Sequence, residues 1–252
     1  MRAIRLIVEE NNAYWNMAAD EALLLLRGLE KSPDTLRLYV FNPSAVSVGY
    51  FQSLRDSLNL QLVSEKGVSV VRRISGGGAV FHDAGGEITY SIVMRTENVP
   101  KDYVESFKYL ALGVIKAIQH LGGSVRFVPL NDIVVNGKKI SGSAQARKLG
   151  AILQHGTLMY ATDLELLASL ITPPKEKLAA KKVVSITERV TTLERALGRK
   201  VGKEEVIKAL IKGFSEALNA EILPGQYTEK ELTLIKSLIW KYRNQEWTRL
   251  RP

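Results

Sequence analysis

The chain of 252 residues has no cysteine at all. Disulfides, cysteine–zinc sites and thiol nucleophiles are excluded together. Histidine is scarce too: only His82, His120 and His155, with no HxxxH pair, so a zinc site is not expected. No apolar stretch approaches the roughly 20 residues that a membrane helix requires. The opening segment, MRAIRLIVEE, lacks the apolar h-region and small-residue cleavage site of a signal peptide. A soluble, cytoplasmic protein with no membrane partner is expected. Low-complexity segments and internal repeats are missing as well.

What is present is a sizeable apolar fraction, 46%, and a basic excess. The length suits one large domain, or a domain with a small appendage. Lys and Arg total 35 against 26 acidic residues, giving +9. Such an excess is either a solvated basic surface or an attraction for phosphates or an acidic protein partner. No zinc-finger, basic-zipper or aromatic RNA-binding pattern accompanies it, so nucleic acid is not an expected partner.

Periodicity places a helix over Tyr14–Leu29, with Asn11 and Asn12 as caps before it. Thr35–Phe41 and Ala45–Tyr50 read as strands divided by the turn signal Asn42-Pro43. A helix over Leu54–Lys66 stops at Gly67. Val68–Arg73 reads as a strand running into Ser75-Gly76-Gly77-Gly78, and Glu87–Arg95 as another. Asp102–Leu121 is amphipathic and ends at Gly122-Gly123. Asn136-Gly137 is a strong hairpin signal between Asp132–Val135 and Lys139–Ser143. Ala151–Tyr160 follows as a strand. Beyond Pro173-Pro174 the pattern is helical, over Thr187–Leu197, Lys203–Leu218 and Thr228–Tyr242. These elements predict an α/β (α+β) body with a mixed, largely antiparallel sheet flanked by helices over about 1–170, and a helical portion from about 175.

Two segments carry chemistry. In Arg72-Arg73-Ile74-Ser75-Gly76-Gly77-Gly78-Ala79-Val80-Phe81-His82-Asp83, three bare glycines let a ligand approach backbone N–H groups without meeting a Cβ. The arginines are suited to clasp a carboxylate or phosphate. The same glycines would also serve a plain turn between strands. Neither a P-loop nor a dinucleotide fingerprint is present. His82 and Asp83 are read as holding the loop's shape through its backbone, with acid–base work as the alternative. In Asn131-Asp132 through Lys138-Lys139-Ile140-Ser141-Gly142-Ser143, strand parity puts Lys139, Ser141 and Ser143 on one face and Lys138, Ile140 and Gly142 on the other. An inward lysine needs an anion to offset its desolvation. A glycine inside a strand marks close ligand approach. Solvated lysines after the turn remain the alternative.

Taken together and in order, these segments resemble the lipoate–protein ligase A family, within the group that also holds biotin ligases and octanoyltransferases. Asn16-Met17-Ala18-Ala19-Asp20-Glu21-Ala22-Leu23 looks like the family's N-terminal helix motif. Arg72 to Asp83 looks like its lipoate-binding loop. Asn131-Asp132 with Lys139 to Ala144 looks like its ND…KISGSA motif, and Gln154-His155-Gly156-Thr157-Leu158 its HGTL strand. Lys177–Lys181 and Ser185–Thr191 look like its adenylate-binding loop.

The resemblance implies a single catalytic domain over 1–252, of the biotin/lipoate ligase-like (class II synthetase-like) fold. It implies that lipoic acid and ATP-Mg²⁺ give lipoyl-AMP, whose acyl group passes to a lysine of a lipoyl domain. The acceptor would be a 2-oxoacid dehydrogenase E2 or a glycine-cleavage H protein. Lys139 takes the catalytic position. Arg73, Ser75, Gly76, Gly77, Gly78, His82 and His155 take lipoate-binding positions. Gly78, Ala79, Val80, Phe81, Asn131, Asp132, Lys139 and Ser143 take adenylate-binding ones, and Asp132 that of a Mg²⁺ ligand. Tyr50 stands where some members carry an ATP-binding arginine. The small C-terminal domain of longer members is missing, and similar short members work with a separate accessory protein. The rival readings are octanoyl transfer from acyl carrier protein, biotin ligation, and a non-catalytic binding subunit. In the first, family members use a cysteine; here Ser124 lies near where it would fall. In the second, the GRGRxG loop is replaced by RRISGGG.

Overall fold

The computed structural model describes residues 2–172 and 185–251. The Lys177–Lys181 motif therefore lies outside the described residues. Eleven strands among them form two sheets. They are β1 (Arg2–Asn11), β2 (Thr35–Phe41), β3 (Ala45–Val48), β4 (Ser69–Arg72), β5 (Val80–His82), β6 (Glu87–Arg95), β7 (Val125–Val128), β8 (Asp132–Val135), β9 (Lys138–Lys148), β10 (Ala151–Met159) and β11 (Ala220–Pro224).

The larger sheet runs in the order β11-β1-β2-β6-β10-β9-β8-β7. Strand β1 pairs in parallel with both β11 and β2. The remaining pairings are antiparallel, so the sheet is mixed and largely antiparallel, as the short connections lead one to expect. The hairpin between β8 and β9 turns on Asn136 (φ 51°) and Gly137 (φ 77°), left-handed at both centres. That is the pattern Asn-Gly supplies at little cost. The smaller sheet, β4-β3-β5, has β3 parallel to β4 and antiparallel to β5. The glycine segment is the connection from β4 to β5.

Helices Tyr103–His120 and Lys203–Leu218 cover one face of the large sheet. Their apolar stripes, with Leu110, Val114, Ile118, Leu210 and Phe214, share one core with Leu38, Ile88 and Ile92 of the sheet. They approach closely because Gly213 faces Gly113: a Cβ on Gly213 would lie 2.2 Å from the Gly113 carbonyl oxygen. On the other face lie the helix Ala13–Gly28 and the helix Glu229–Arg243. Asn12, one of the two predicted caps, accepts from Trp15 N. Thr228 and Glu231 form a capping box. Glu231 is also a bidentate partner of Arg5 on β1, at 2.6 and 2.8 Å, pinning this helix to the sheet.

Three expectations change in detail. The helix expected over Leu54–Lys66 is two short ones, Leu54–Ser57 and Leu60–Glu65, because Leu58 leaves to bridge Ile171 and Asn59 caps the second. The helix expected over Thr187–Leu197 likewise divides into Ile186–Arg189 and Leu193–Leu197, where Val190 bridges Lys139. The strand read as Ala45–Tyr50 ends at Val48.

Candidate active site

Between the small sheet and strands β6, β9 and β10 lies a cavity of about 220 Å³. Its wall is mostly apolar, with Met17, Tyr39, Phe81, Met159, Leu167, Ile171, Ile186 and Val190. Of the residues expected at the site, Arg73, Gly77, Gly78, Ala79, Val80, Phe81, His82, Asn131, Lys139, Ser143 and His155 line it. Ser75 and Gly76 stand behind that wall, and Asp132 lies beside Lys139 outside the lining set.

The glycine segment is wound around Arg73. This guanidinium is buried and donates to the carbonyls of Gly76 and Gly78, both at 2.7 Å. Its other donors go to Ser75 Oγ (3.1 Å), Ser47 O (3.2 Å) and Ser47 Oγ (3.3 Å). Burial pushes the Arg73 pKa down to about 10, with Tyr39 opposing the shift; the group is still a cation at neutral pH. The expectation that the arginines clasp a ligand anion needs revision for both: the Arg73 donors are spent on the loop and Ser47, and Arg72 turns away to backbone carbonyls. Its guanidinium reaches the carbonyls of Gly49, Tyr50, Gln52, Thr248 and Arg251, and so ties the chain's last described turn to the loop's base. Gly49 is required there: a Cβ would sit 2.1 Å from the Gly77 carbonyl oxygen. At Tyr50, the Arg251 guanidinium lies 5.9 Å from the ring centroid, and Phe51 and Trp247 pack beside it.

His82 and Asp83 hold shape by different routes. His82 Nε2 lies 2.8 Å from Ser47 Oγ, and Nδ1 lies 3.1 Å from Glu87, while its ring stacks on Phe41 at 3.8 Å. These are side-chain partners, where backbone ones were expected. Asp83 does bond backbone, accepting from Gly85 N and from Asp163 N, which begins the helix Leu164–Leu170.

On the opposite wall, the Lys139 amine is 2.6 Å from Asp132 Oδ1, and the two side chains are 39% and 36% exposed. The parity expected along β9 breaks at a bulge. Ile133 pairs with Ser141 but Val134 pairs with Lys139, leaving Ile140 extra. As a result Gly142, rather than Ser141, lies beneath the amine: a Cβ there would be 2.6 Å from Lys139 Nζ. Asn131 brackets the other end of the hairpin, donating from Nδ2 to the Ser143 carbonyl at 2.5 Å. The Lys139 carbonyl accepts from Thr191 N at 2.8 Å, which brings Ile186 and Val190 over the cavity.

Reading from sequence alone left several contributors unassigned. Met17, Tyr39, Ser47, Thr89, Gly156, Thr157 and Met159 line the cavity. Met17 was within the motif Asn16–Leu23, and Gly156 and Thr157 within Gln154–Leu158, which gave a signal without a role. Tyr39, Ser47, Thr89 and Met159 lie on strands whose alternation marks burial but not which buried face meets a ligand. Among the described residues, no group of three His, Asp or Glu could hold a metal by itself, and no helix is long and apolar enough to cross a membrane.

Residues 12–215 match the family model of the lipoyl protein ligase A/B catalytic domain. The chain belongs to that family. It is similar to octanoyltransferase LipM of Brevibacillus brevis, 34% identical over 96% of each chain. It is similar in structure to a bi-partite lipoate protein ligase of Thermoplasma acidophilum, described with its E2 lipoyl domain. The TM-score is 0.87 at 32% identity, covering 99% of this chain and 97% of that one. A lipoate-protein ligase A bound with ATP superposes with a TM-score of 0.85 at 30% identity, over 99% of both chains. The enzyme family and fold expected from the motifs are thus established, and its relatives divide between transferases and ligases.

Proposed function

We propose that this chain joins a lipoyl-type acid to AMP and passes the acyl group to a lysine of a lipoyl domain. The observation that carries the reading is a cation without a thiol: Lys139 stands at the polar end of an apolar cavity in a chain with no cysteine. The acid's chain occupies the apolar pocket, and its carboxylate lies toward the amine. When that carboxylate attacks the α-phosphorus of ATP, the bond to the β-phosphate breaks and pyrophosphate departs; Lys139 offsets the growing negative charge and then steadies the mixed anhydride. The acceptor lysine attacks the anhydride carbonyl, and AMP departs. No covalent enzyme intermediate is needed. The resemblance supplies the acceptor class, an E2 or H-protein lipoyl domain, and an accessory protein that assists adenylation.

Mg²⁺ would arrive with ATP, neutralising phosphate charge. Magnesium typically takes one or two carboxylates together with phosphates, so Asp132 is a sufficient protein ligand. Asn131 and Ser143, which line the cavity, would bind the adenylate.

A second reading, octanoyl transfer from acyl carrier protein, is favoured by the identity to an octanoyltransferase over nearly the whole chain. Members of that branch hold the acyl group on a thiol. Ser124, nearest to that position, is exposed and outside the cavity lining, so it makes a poor substitute.

One experiment separates the two. The purified chain is incubated with a lipoyl domain and either lipoate, ATP and Mg²⁺, or octanoyl-acyl carrier protein alone, and the domain is weighed by mass spectrometry. A gain of one lipoyl mass that requires ATP, with lipoate-dependent pyrophosphate–ATP exchange, is expected. Acylation from the carrier protein without ATP would overturn the ligase reading in favour of the second.

A further inference from the structure

The motif Asn16–Leu23 contains a carboxylate for which the proposed reaction has no use. Asp20 is 1% exposed and accepts from four side chains: Arg37 Nη1 (2.5 Å), Ser91 Oγ (2.7 Å), His155 Nδ1 (2.8 Å) and Tyr39 OH (2.9 Å). One of these leads on to the glycine loop. His155 Nε2 lies 2.6 Å from Ser75 Oγ, and Ser75 Oγ lies 3.1 Å from Arg73 Nε.

The direction of these hydrogen bonds is set from the Asp20 end. A carboxylate can only accept, so the hydrogen of a neutral His155 ring sits on Nδ1, facing Asp20. Nε2 is then bare and accepts from the Ser75 hydroxyl, whose oxygen accepts in turn from Arg73 Nε, a group that can only donate. Burial holds His155 below its ordinary pKa, with Asp20 opposing, so the ring is neutral at pH 7 and has a tautomer to be fixed.

We propose that Asp20 is a positioning residue for the site: acting through His155 and Ser75, it sets the hydrogen-bond direction that holds Arg73 and the glycine loop in their binding shape. The order Asp20–His155–Ser75 is also that of a nucleophilic triad. Ser75, however, is not among the residues lining the cavity, and its oxygen already accepts from Arg73. The array therefore holds a shape and does not attack. The identity of the acid it helps to bind rests on the function proposed above.

The test uses nitrogen-15 NMR of the imidazole rings, in a chain with only three histidines, together with lipoate binding by calorimetry without ATP. In the unaltered chain His155 is expected as the Nδ1–H tautomer; an Nε2–H tautomer would overturn the proposal without any mutation. Asp20→Asn should flip the ring. Arg37 claims the amide oxygen, the amide NH₂ turns toward Nδ1, and Nε2 must take the hydrogen. Ser75 would then face two donors, and lipoate affinity should fall roughly 10–10²-fold, the scale of a buried hydrogen bond left unmade. Ser75→Ala should keep the Nδ1–H tautomer yet weaken binding roughly tenfold. A flipped ring with unchanged affinity overturns the proposal, as does labelling of Ser75 by a fluorophosphonate or recovery of an acyl-Ser75 peptide. If the unaltered chain binds no lipoate, the functional reading fails, whereas the tautomer still decides the role of Asp20. Should Asp20→Asn not fold, the unaltered chain and Ser75→Ala suffice.

Discussion

The cavity's two polar walls are held in opposite ways. On one, the glycine loop hangs from buried Arg73, whose donors are all taken by neighbouring oxygens. On the other, Lys139 is two-fifths exposed and, among the described residues, holds a single acid. The difference matches two tasks. A loop locked before the ligand arrives loses little conformational freedom on binding. In the reaction we propose, the amine exchanges partners, from Asp132 to a carboxylate and then a phosphoryl oxygen. A half-exposed pair, worth about 0–1 kcal/mol, releases it readily. On that reading the rigid wall recognises, and the loose wall does chemistry.

The largest expected effect tests the loose wall. Lys139→Ala should reduce acyl transfer by on the order of 10²–10³, the scale of removing one positioned charge stabiliser. Lipoate affinity without ATP should fall by at most several-fold, the worth of one half-exposed ion pair to its carboxylate, and the melting temperature should change little, because among the described residues the side chain is tied only to Asp132. Rates by mass spectrometry and scanning calorimetry on the same samples decide it. Full activity would mean that Lys139 has no catalytic part.

The next effect tests the rigid wall. Gly49→Ala puts a methyl 2.1 Å from a backbone oxygen of Gly77 and 3.1 Å from Gly76. No flexible side chain can give way there, so the loop itself must shift. Overpacking of this kind costs about 1–3 kcal/mol. Both stability and lipoate affinity should fall, unlike the Lys139 variant, in which the rate suffers most. Equal effects of the two substitutions on affinity would erase the distinction between the walls.

How far the sequence discloses each wall differs as well. The glycine run, the arginine beside it, the Asn-Gly hairpin and Lys139 are local patterns, and they were legible because their physics is local. The link from Asp20 to His155 joins residues 135 apart in sequence, which no short-range pattern encodes. The bulge at Ile140 was hidden for a related reason. It depends on which residue of β8 faces β9, and it moved Gly142 beneath the amine in place of Ser141. Strand β11 escaped notice because its five residues sit between two strong helices and gain their place only by pairing with β1. The sharing of Arg72 by five carbonyls was unforeseeable too, since two of them, Thr248 and Arg251, come from the far end of the chain.

Acid gives a third comparison. Burial holds the His155 pKa below its ordinary 6.5, so between 6.5 and the folded value the unfolded chain binds a proton that the fold resists. Stability should therefore decline as pH falls below 6.5, at up to about 1.4 kcal/mol per pH unit. Asp20 acts lower. Burial pushes its carboxyl up, but Arg37 and its hydrogen bonds more than offset this, so it lies below the ordinary 3.8. Its contribution is present above that value and lost as pH falls through the folded one. Melting temperatures from pH 8 to 3 should show the first decline in the unaltered chain and a flatter curve above pH 5 in His155→Gln. An unchanged curve in that variant would assign the decline to other groups.

The smallest effect on stability, and the sharpest test of what Asp132 is for, comes from Asp132→Asn. The carboxylate is 36% exposed and its ion pair with Lys139 is screened by water, so the melting temperature should move by the equivalent of about 0–1 kcal/mol at most. If Asp132 merely parks the amine between turnovers, the free lysine reaches the substrate at least as well and the rate is kept. If it is the protein's carboxylate for a nucleotide-borne Mg²⁺, the neutral amide is a weaker ligand and the Mg²⁺ concentration for half-maximal rate should rise several-fold. Titrating Mg²⁺ at saturating ATP and lipoate distinguishes the two. The second outcome is expected, because Asn131, its neighbour in the chain, lines the cavity where we propose that the nucleotide binds. An unchanged Mg²⁺ requirement would leave Asp132 with the parking role alone, and the loose wall would be a single cation.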